Sequence, residues 1–215
     1  MAVSLKKGQG VSLKKSEYDL SKVTIGLGWD VNEEKSVGGM FGFLSKKPKE
    51  YDLDVAAFLL GANGKVNDLG PLENGHPSLK NSDVIFFKNL KHFSGQIWLT
   101  GDNRTGDGDG DDEQIIVNLN TLPDKYNKVV FVVQIYAGKE NNQNFSRVQN
   151  AYIRAVDAKG TEMTRFDLSG DAAYAKFCSI TFAELAREEG GSWKFTAIGT
   201  PHESDTFVYA LKNYI

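Results

Sequence analysis

Short apolar runs recur along the whole chain, and Gly, Asn and Asp separate them. The 22 glycines against five prolines supply the turn chemistry of an all-β protein, whereas helical periodicity is scarce. So many short strands predict a β-sandwich of two similar sheets with a few short helices. Strands are predicted over residues 22–29, 53–62, 84–87, 96–100, 114–119, 128–136, 151–156, 162–168 and 193–198.

The first residues contain a repeat, because the sequence of residues 3–7, Val-Ser-Leu-Lys-Lys, recurs at residues 11–15. The segment Gly8-Gln9-Gly10 separates the two copies. A glycine-containing three-residue loop between matched strands predicts a β-hairpin. The alternative is a chance repeat in a flexible terminus.

Two longer stretches also resemble each other. Residues 23–30 followed by 53–58 have the same order of features as residues 129–136 followed by 151–156: a near-continuous apolar strand, then a strand that ends in a polar turn. A duplicated unit of this kind would produce two similar sheets. Hairpins also resemble one another through turn chemistry alone, so both explanations stay open.

Helices are predicted in two places only, residues 145–150 and 181–189. In the second, Thr181 and Glu184 have the spacing of a capping box and Gly190 follows as a stop signal. The loops at residues 31–50 and 68–82 are short enough to lie on the surface, so residues 1–215 are expected to form a single domain.

Bulk composition excludes several functions. The net charge of −3 offers no basic footprint for nucleic acid, which is not an expected partner. Cys178 is the single cysteine and cannot form an internal disulfide. The amino terminus lacks the apolar stretch of a secretory signal. The longest apolar run, residues 129–133, is far shorter than the roughly 20 residues of a transmembrane helix, so a cytoplasmic protein with no transmembrane segment is expected.

The candidate chemistry lies in residues 101–113, which hold six carboxylates and one arginine. We call this segment the acidic loop. Two carboxylates roughly 5 Å apart repel by about 3 kcal/mol at an effective dielectric constant near 20, so several such pairs would strain a compact loop that held no cation. The predicted strands on either side hold the two ends of the loop. The alternative is a solvated Asp/Gly-rich connector.

Calcium is the cation that fits best, because the loop supplies only hard oxygen ligands and no nearby His or Cys. The sequence is not an EF-hand, since Asp112 would occupy the position that requires glycine. It is also not the glycine-rich repeat of a parallel β-helix, because that architecture needs tandem repeats and the sequence has one copy only.

A second acidic pair, Asp52 and Asp54, lies at the start of an apolar strand. Alternation places both carboxylates on one face and Leu53 and Val55 on the other. Asp30 ends an earlier strand in a similar way. A cation shared with the acidic loop would satisfy all three carboxylates, although each could instead bind a turn amide at a strand end.

These motifs together resemble the TerD family of tellurium-resistance proteins. The resemblance is carried by Gly26-Leu27-Gly28-Trp29-Asp30, by Asp52-Leu53-Asp54 with residues 61–65, by the acidic loop and by Asn150-Ala151-Tyr152-Ile153-Arg154, in that order. It implies a calcium-binding β-sandwich that acts in bacterial resistance to tellurite and other chemical or phage stress. It also implies other proteins as partners, in a complex at the inner face of the membrane.

The family's metal-binding motifs are carried over residue by residue. They correspond to Asp52, Asp54, Asp102, Asn103, Asp107, Asp109, Asp111, Asp112 and Glu113, to which the strand-end argument adds Asp30. The longer loops at residues 31–50 and 68–82 depart from the compact family pattern and indicate a divergent paralogue. Two calcium ions are expected, because these side chains exceed what one coordination sphere uses.

Two functions remain from the sequence. The favoured one is a non-enzymatic calcium-binding interaction module, in which the cation makes a partner-binding surface rigid. The alternative is a metal-dependent phosphohydrolase that uses the same carboxylates. Arg104 is the one cation in the acidic loop, and the sequence supplies no convincing general base. His76, His92 and His202 lack ligand spacing and are expected in surface or structural roles.

Overall fold

The computed structural model describes residues 2–31, 51–100, 110–168 and 172–215. Within them the chain forms two six-stranded sheets and a two-stranded ribbon. The strands are β1 (Val3–Leu5), β2 (Gly10–Leu13), β3 (Val23–Val31), β4 (Leu53–Leu60), β5 (Leu72–Glu73), β6 (His76–Pro77), β7 (Val84–Ile85), β8 (Ile97–Thr100), β9 (Glu113–Val117), β10 (Lys128–Ile135), β11 (Val148–Val156), β12 (Glu162–Asp167), β13 (Ser179–Arg187) and β14 (Trp193–His202). One α-helix, α1 (Phe207–Leu211), lies near the carboxyl terminus.

The two large sheets face each other. The first sheet has the order β1-β12-β11-β3-β9-β8, and the second has the order β2-β14-β13-β10-β4-β7. Inward side chains of both sheets, such as Ile25 and Leu27 on β3 and Leu53 and Val55 on β4, form one continuous core. Burial of each such side chain contributes about 1.5–3 kcal/mol. The predicted all-β sandwich is confirmed.

The second sheet is buried on both faces. Ala56, Phe58 and Leu60 of β4 point away from the main core and pack in a smaller cluster with Phe207 and Leu211 of α1. This explains why β4 and β10 read as continuous apolar runs rather than as an alternating pattern. None of the helices in the described part of the chain is long and apolar enough to cross a membrane.

The predicted amino-terminal hairpin is wrong. β1 pairs in parallel with β12 of the first sheet, with Val3 opposite Thr164. β2 pairs antiparallel with β14 of the second sheet, with Leu13 opposite Trp193. The turn at Gly8, with φ of 82°, therefore carries the chain from one sheet to the other. The repeated Val-Ser-Leu places Leu5 and Leu13 in the same core from opposite sides.

The helix predicted over residues 181–189 is also wrong, because this segment belongs to β13, which pairs with β10 and β14. Burial on both faces of the second sheet removes the alternation that would have marked it as a strand. The segment predicted as a helix over residues 145–150 is a single 3₁₀ turn, Phe145–Arg147, followed at once by β11. Helix α1 was not predicted, and neither was the short β5–β6 ribbon within residues 68–82.

The strands of the two similar units are exchanged between the sheets. β3 pairs antiparallel with β11 in the first sheet, and β4 pairs antiparallel with β10 in the second. Each sheet thus contains one strand of each unit. This arrangement is the one expected if the two units are copies, and the duplication itself stays a prediction.

Candidate metal centre

The last four residues of the acidic loop, Gly110 to Glu113, are the part that the structure describes. The predicted ligands Asp102, Asn103, Asp107 and Asp109 lie outside the described residues. The described residues Asp111, Asp112 and Glu113 make different contacts, and each fixes the loop to a different part of the sandwich.

Asp112 extends the pairing of β9 with β3. Its amide donates to the carbonyl of Leu27 over 2.8 Å, and its Oδ2 accepts from the amide of Trp29 over 2.9 Å. The carboxylate thereby accepts the hydrogen bond that a backbone carbonyl of a neighbouring strand would otherwise accept from the end of β3. Leu27-Gly28-Trp29 and the acidic loop are therefore held together by one backbone–backbone bond and one bond from a backbone amide to the Asp112 carboxylate.

Glu113 connects the two sheets. It lies opposite Leu27 on the inward face of the first sheet, is 2% exposed, and its Oε2 accepts from the amide of Val55 on β4 over 2.6 Å. β7 pairs with β4 only at Ala57 and Phe58, so it does not reach the amide of Val55. A buried carboxylate in this place brings negative charge between the sheets at the Asp52–Asp54 end of β4.

Asp111 lies on the outer face of the first sheet, directly over Gly26. A Cβ atom on Gly26 would overlap the Asp111 carboxylate. The residues that flank Gly26 in the neighbouring strands are Arg154 and Gln114, and both donate to Asp111, over 2.8 Å from Arg154 Nε and 3.2 Å from Gln114 Nε2. Glycine at position 26 creates the space, and the sheet register supplies the two donors.

Tyr152 completes this arrangement. Its hydroxyl lies 2.7 Å from the carbonyl oxygen of Gly110 and 3.0 Å from Asp111 Oδ1, and its ring covers Gly28, where a Cβ atom would overlap it. The Arg165 guanidinium lies over the same ring, 3.7 Å from the ring centroid. The two glycines of the Gly-Leu-Gly motif thus accommodate the Asp111 carboxylate and the Tyr152 ring.

The electrostatics of this group favour a closed ion pair. Burial lowers the pKa of Arg154, but hydrogen bonds to Asp111 and Glu162 outweigh burial and place the pKa above its ordinary value. Burial, together with the charge of Asp111, raises the pKa of Tyr152 to about 12. The Arg154 guanidinium therefore places positive charge beside Asp111, a residue for which the sequence predicted a metal ion as the positive partner.

Asp54 lies on the outer face of the second sheet, as the predicted alternation requires. Its Oδ2 accepts from Gln134 Nε2 over 3.0 Å, and Gln134 Oε1 accepts from the amide of Phe207 at the start of α1 over 2.6 Å. Asp52 precedes β4, and its carbonyl accepts from the amide of Tyr136 over 2.7 Å. The Asp-Leu-Asp motif is thereby connected to the carboxyl-terminal helix.

Asp30 is exposed near the end of β3, where Asn150 Nδ2 donates to its Oδ2 over 2.5 Å. Among the described residues, no three His, Cys, Asp or Glu side chains gather around one point where a metal ion would fit. The described members of the predicted set therefore divide between both outer faces and the space between the sheets. The cation shared with Asp30, Asp52 and Asp54 depends on residues outside the described ones and stays a prediction.

Sequence reasoning missed the partners of Asp111. Tyr152 and Arg154 belong to a motif that the sequence singled out, and their alternation on one strand places both on one face of β11. Their position over Gly26 and Gly28 depends on the register between β3 and β11, which the sequence does not specify.

A second buried polar network was also missed. His92 Nε2 lies 3.1 Å from Asp83 Oδ1, and the Tyr126 hydroxyl donates to the same oxygen over 2.5 Å. The Ser94 amide donates to His92 Nδ1 over 3.1 Å, so the geometry assigns the ring proton to Nε2. His92 is thus structural, as expected, and it anchors the turn that leads into β8.

Comparison with known proteins gives a consistent result. The TerD domain model matches residues 1–214. The tellurium resistance protein TerX of Serratia marcescens is 65% identical over 217 residues and covers 100% of both chains. The tellurium resistance protein TerD of an Alcaligenes species is 41% identical over 200 residues, 93% of this chain and 90% of the relative.

Stress proteins and a solved structure are also similar. General stress protein 16U of Bacillus subtilis is 38% identical over 204 residues, 94% of this chain and 92% of the relative. The crystal structure of a homologue of telluride resistance protein (TerD) from Streptomyces coelicolor shares the fold, with a TM-score of 0.61 at 21% identity over 91% of this chain and 98% of that chain. The full-length match to the family model and to these relatives shows that the chain belongs to the TerD family.

Proposed function

We propose that this protein is a calcium-binding, non-enzymatic protein of bacterial tellurite resistance and stress response, which presents a rigid surface to protein partners. The names of its relatives, tellurium resistance proteins and a general stress protein, support the biological setting. The observation that carries the calcium proposal is the attachment of the acidic loop to both sheets, through Asp112 on β3 and Glu113 on β4.

The argument starts from charge. Six carboxylates lie within thirteen residues of the sequence, and two of those described, Asp112 and Glu113, are each tied to a backbone amide, of β3 and β4 respectively. The Asp111 carboxylate forms an ion pair with Arg154. Six carboxylates and one arginine within thirteen residues would repel one another in a compact loop, and a bound cation would offset that repulsion.

The donor chemistry favours calcium, because carboxylate, amide and carbonyl oxygens are hard ligands that suit its flexible coordination. Calcium, when bound, would neutralise the loop and stabilise the folded state by mass action. Asp112 and Glu113 would then join the ligands supplied by Asp102, Asn103, Asp107 and Asp109. Asp111 has a second role available, that of the anchor which fixes the end of the loop to Arg154.

The contacts of Glu113 indicate how metal binding would affect the whole domain. Its carboxylate lies between the sheets and accepts from β4, while Asp112 accepts from β3. A loop fixed to both strands transmits its own order to the end of the sandwich. Such a rigid end is a suitable surface for other proteins of a stress-response complex. The number of ions, two, and the location at the inner face of the membrane stay predictions.

Calorimetric titration of chelator-treated protein with calcium, repeated in excess magnesium, tests the proposal. We expect micromolar or tighter binding that magnesium does not abolish, and a melting temperature that rises with calcium concentration, by an amount equivalent to about 2.7 kcal/mol at a hundredfold excess over Kd. Absence of calcium binding by the folded protein would refute the proposed function.

A matched pair of variants locates the site. Glu113→Gln keeps the size of the side chain and an oxygen for the Val55 amide but removes the charge, and we expect at least tenfold weaker calcium binding. Asp124→Asn removes a charge from a fully exposed carboxylate and should bind calcium like the native protein. A phosphate ester incubated with magnesium or manganese should stay intact; turnover that Glu113→Gln abolishes would favour the hydrolase alternative.

A further inference from the structure

The turn that leads into β8 carries a regular pattern of anchored and exposed residues. Every third residue, Phe86, Asn89 and His92, is buried. The Asn89 side chain donates to the carbonyl of Val84 over 2.6 Å, and His92 is held by Asp83 and Tyr126 as described above. The backbone of this segment is therefore fixed at three points.

The residues between these anchors point outward. Phe87, Leu90 and Phe93 are 36%, 53% and 58% exposed, and exposed lysines follow the first two at positions 88 and 91. The ammonium group of Lys125 lies 5.2 Å from the ring of Phe93. We call Phe87, Lys88, Leu90, Lys91, Phe93 and Lys125 the lysine–apolar patch.

The patch is cationic as well as apolar. Residues 84–100 contain no Asp or Glu, and the exposed carboxylate nearest in sequence to Lys125, that of Asp124, lies 3.5 Å from the Arg187 guanidinium. Tyr136, itself half exposed, packs edge-on against Phe87 at 6.2 Å between ring centroids. Three ammonium groups and three apolar side chains thus follow one anchored segment, which reaches from Tyr136, just after the end of β10, to Lys125, just before its start.

We propose that the lysine–apolar patch binds the surface of an anionic lipid bilayer. Along this segment an exposed lysine directly follows Phe87 and Leu90, a pattern that suits a charged bilayer better than the continuous apolar area that a helix or strand of another protein covers. An anionic bilayer has the matching layers, since phosphates accept the lysines and the acyl boundary accepts the apolar side chains. The fixed backbone also means that little conformational entropy is lost on binding.

This inference is independent of the calcium proposal, and its test separates the two. Native protein is sedimented with vesicles of phosphatidylcholine containing about a third phosphatidylglycerol, and with vesicles of phosphatidylcholine alone, both in the presence of chelator. We expect the protein to sediment with the anionic vesicles and not with the neutral ones. Binding to the anionic vesicles should weaken in high salt, because surface charges are then screened. Inorganic phosphate, added while the ionic strength of the buffer is held constant, should not release the protein from the vesicles. This result distinguishes a bilayer from a simple anion site.

Two double variants assign the interaction to the patch. Leu90→Ser with Phe93→Ser removes exposed apolar groups, and Lys88→Ser with Lys91→Ser removes two charges, each of which contributes about fivefold to binding near an anionic surface. Both variants should bind anionic vesicles at least tenfold more weakly. The control, Val3→Ser with Lys6→Ser, removes one exposed apolar side chain and one exposed lysine on and beside β1, at the opposite edge of the first sheet from β8, and should bind like the native protein.

Near-ultraviolet circular dichroism verifies that each variant is folded before it is compared. The inference is overturned if folded native protein does not sediment with anionic vesicles, or if the patch variants and the control bind equally well. Binding to neutral and anionic vesicles alike would also overturn it, because the lysines would then have no part in recognition.

Discussion

At the scale of single residues, the site depends on two glycines, which have no side chain, as much as on the side chains around them. Gly26 and Gly28 leave room on the outer face of β3 for the Asp111 carboxylate and the Tyr152 ring. Arg154 and Gln114, on either side of Gly26, then bind the carboxylate in that space. The requirement for glycine at these positions is therefore steric, and neither residue is among those with positive φ.

Substitution of Gly26 by alanine tests this account. The added methyl group would displace the Asp111 carboxylate from between Arg154 and Gln114, so we expect a loss of about 1–3 kcal/mol in the free energy of unfolding. Urea denaturation measures it. In an Asp111→Ala background the same substitution should cost clearly less, because the side chain that it displaces is missing. Equal costs in both backgrounds would contradict the steric explanation.

At the scale of the elements, one side chain connects the candidate site to the carboxyl-terminal helix. Gln134 donates through its amide nitrogen to Asp54 and accepts through its amide oxygen from Phe207 at the start of α1. Helix α1 has only five residues, too few to be stable in isolation. Its position depends on this bond, on the Thr206 cap and on apolar packing against β4.

Gln134→Glu is expected to loosen this helix. The variant keeps an oxygen for the Phe207 amide but has no donor for Asp54. Repulsion between the two carboxylates should move the side chain away from α1, so the start of α1 should lose about 1–3 kcal/mol of local stability. Hydrogen exchange of the amides in Phe207–Leu211 should then become faster, whereas exchange in β11 should not change. Adding Asp54→Asn supplies a new donor and should restore slow exchange; faster exchange that persists in the double variant would contradict the role given to Gln134.

The elements also show how far the sequence could be interpreted. Strands with clear apolar runs and turns, such as β3, β4 and β10, were predicted close to their observed bounds. β13 was mistaken for a helix because Thr181, Glu184 and Gly190 imitate capping signals while both of its faces are buried. The local signals favoured a helix there, but the long-range pairing with β10 and β14 decided the structure.

At the scale of the whole molecule, the buried network of Asp83, His92 and Tyr126 joins the second sheet to the turn before β8. Burial raises the pKa of the Asp83 carboxyl, but hydrogen bonds from His92 and Tyr126 outweigh burial and lower the pKa below its ordinary value near 3.8. A carboxyl with a lowered pKa contributes stability above about pH 4. That contribution is lost as the pH falls through the lower pKa of the folded state.

Asp83→Asn should therefore change how stability depends on pH. At pH 7 we expect a loss of about 1–3 kcal/mol, because the ionised acceptor of two buried donors is replaced by an amide. Below pH 4 the native protein should lose stability more steeply than the variant. Urea titrations at pH 7, 4 and 3 measure both effects, with Asp124→Asn as an exposed control. Parallel pH profiles would show that Asp83 is not the group responsible.

The candidate site was predicted in the same partial way as the fold. The sequence indicated Asp112 and Glu113 as metal ligands, which stays a prediction, and it did not indicate that their carboxylates accept from backbone amides of β3 and β4. It did not indicate that Arg154 would face Asp111, since that pair is separated by 43 residues and is created by the register of β3 with β9 and β11. Composition identifies a charged loop, whereas sheet register decides which charges meet.

The separation of the first two strands has a consequence for synthesis on the ribosome. β1 lies next to β12, and β2 lies next to β14, whose pairing residues begin at Trp193. The residues that pair with β1 are complete only at Phe166, and those that pair with β2 only at Thr196. Pairing over such distances along the chain slows folding, and until it is complete the nascent chain exposes unpaired strand edges that favour aggregation. Chaperones that cover these edges during that interval would reduce the risk of aggregation.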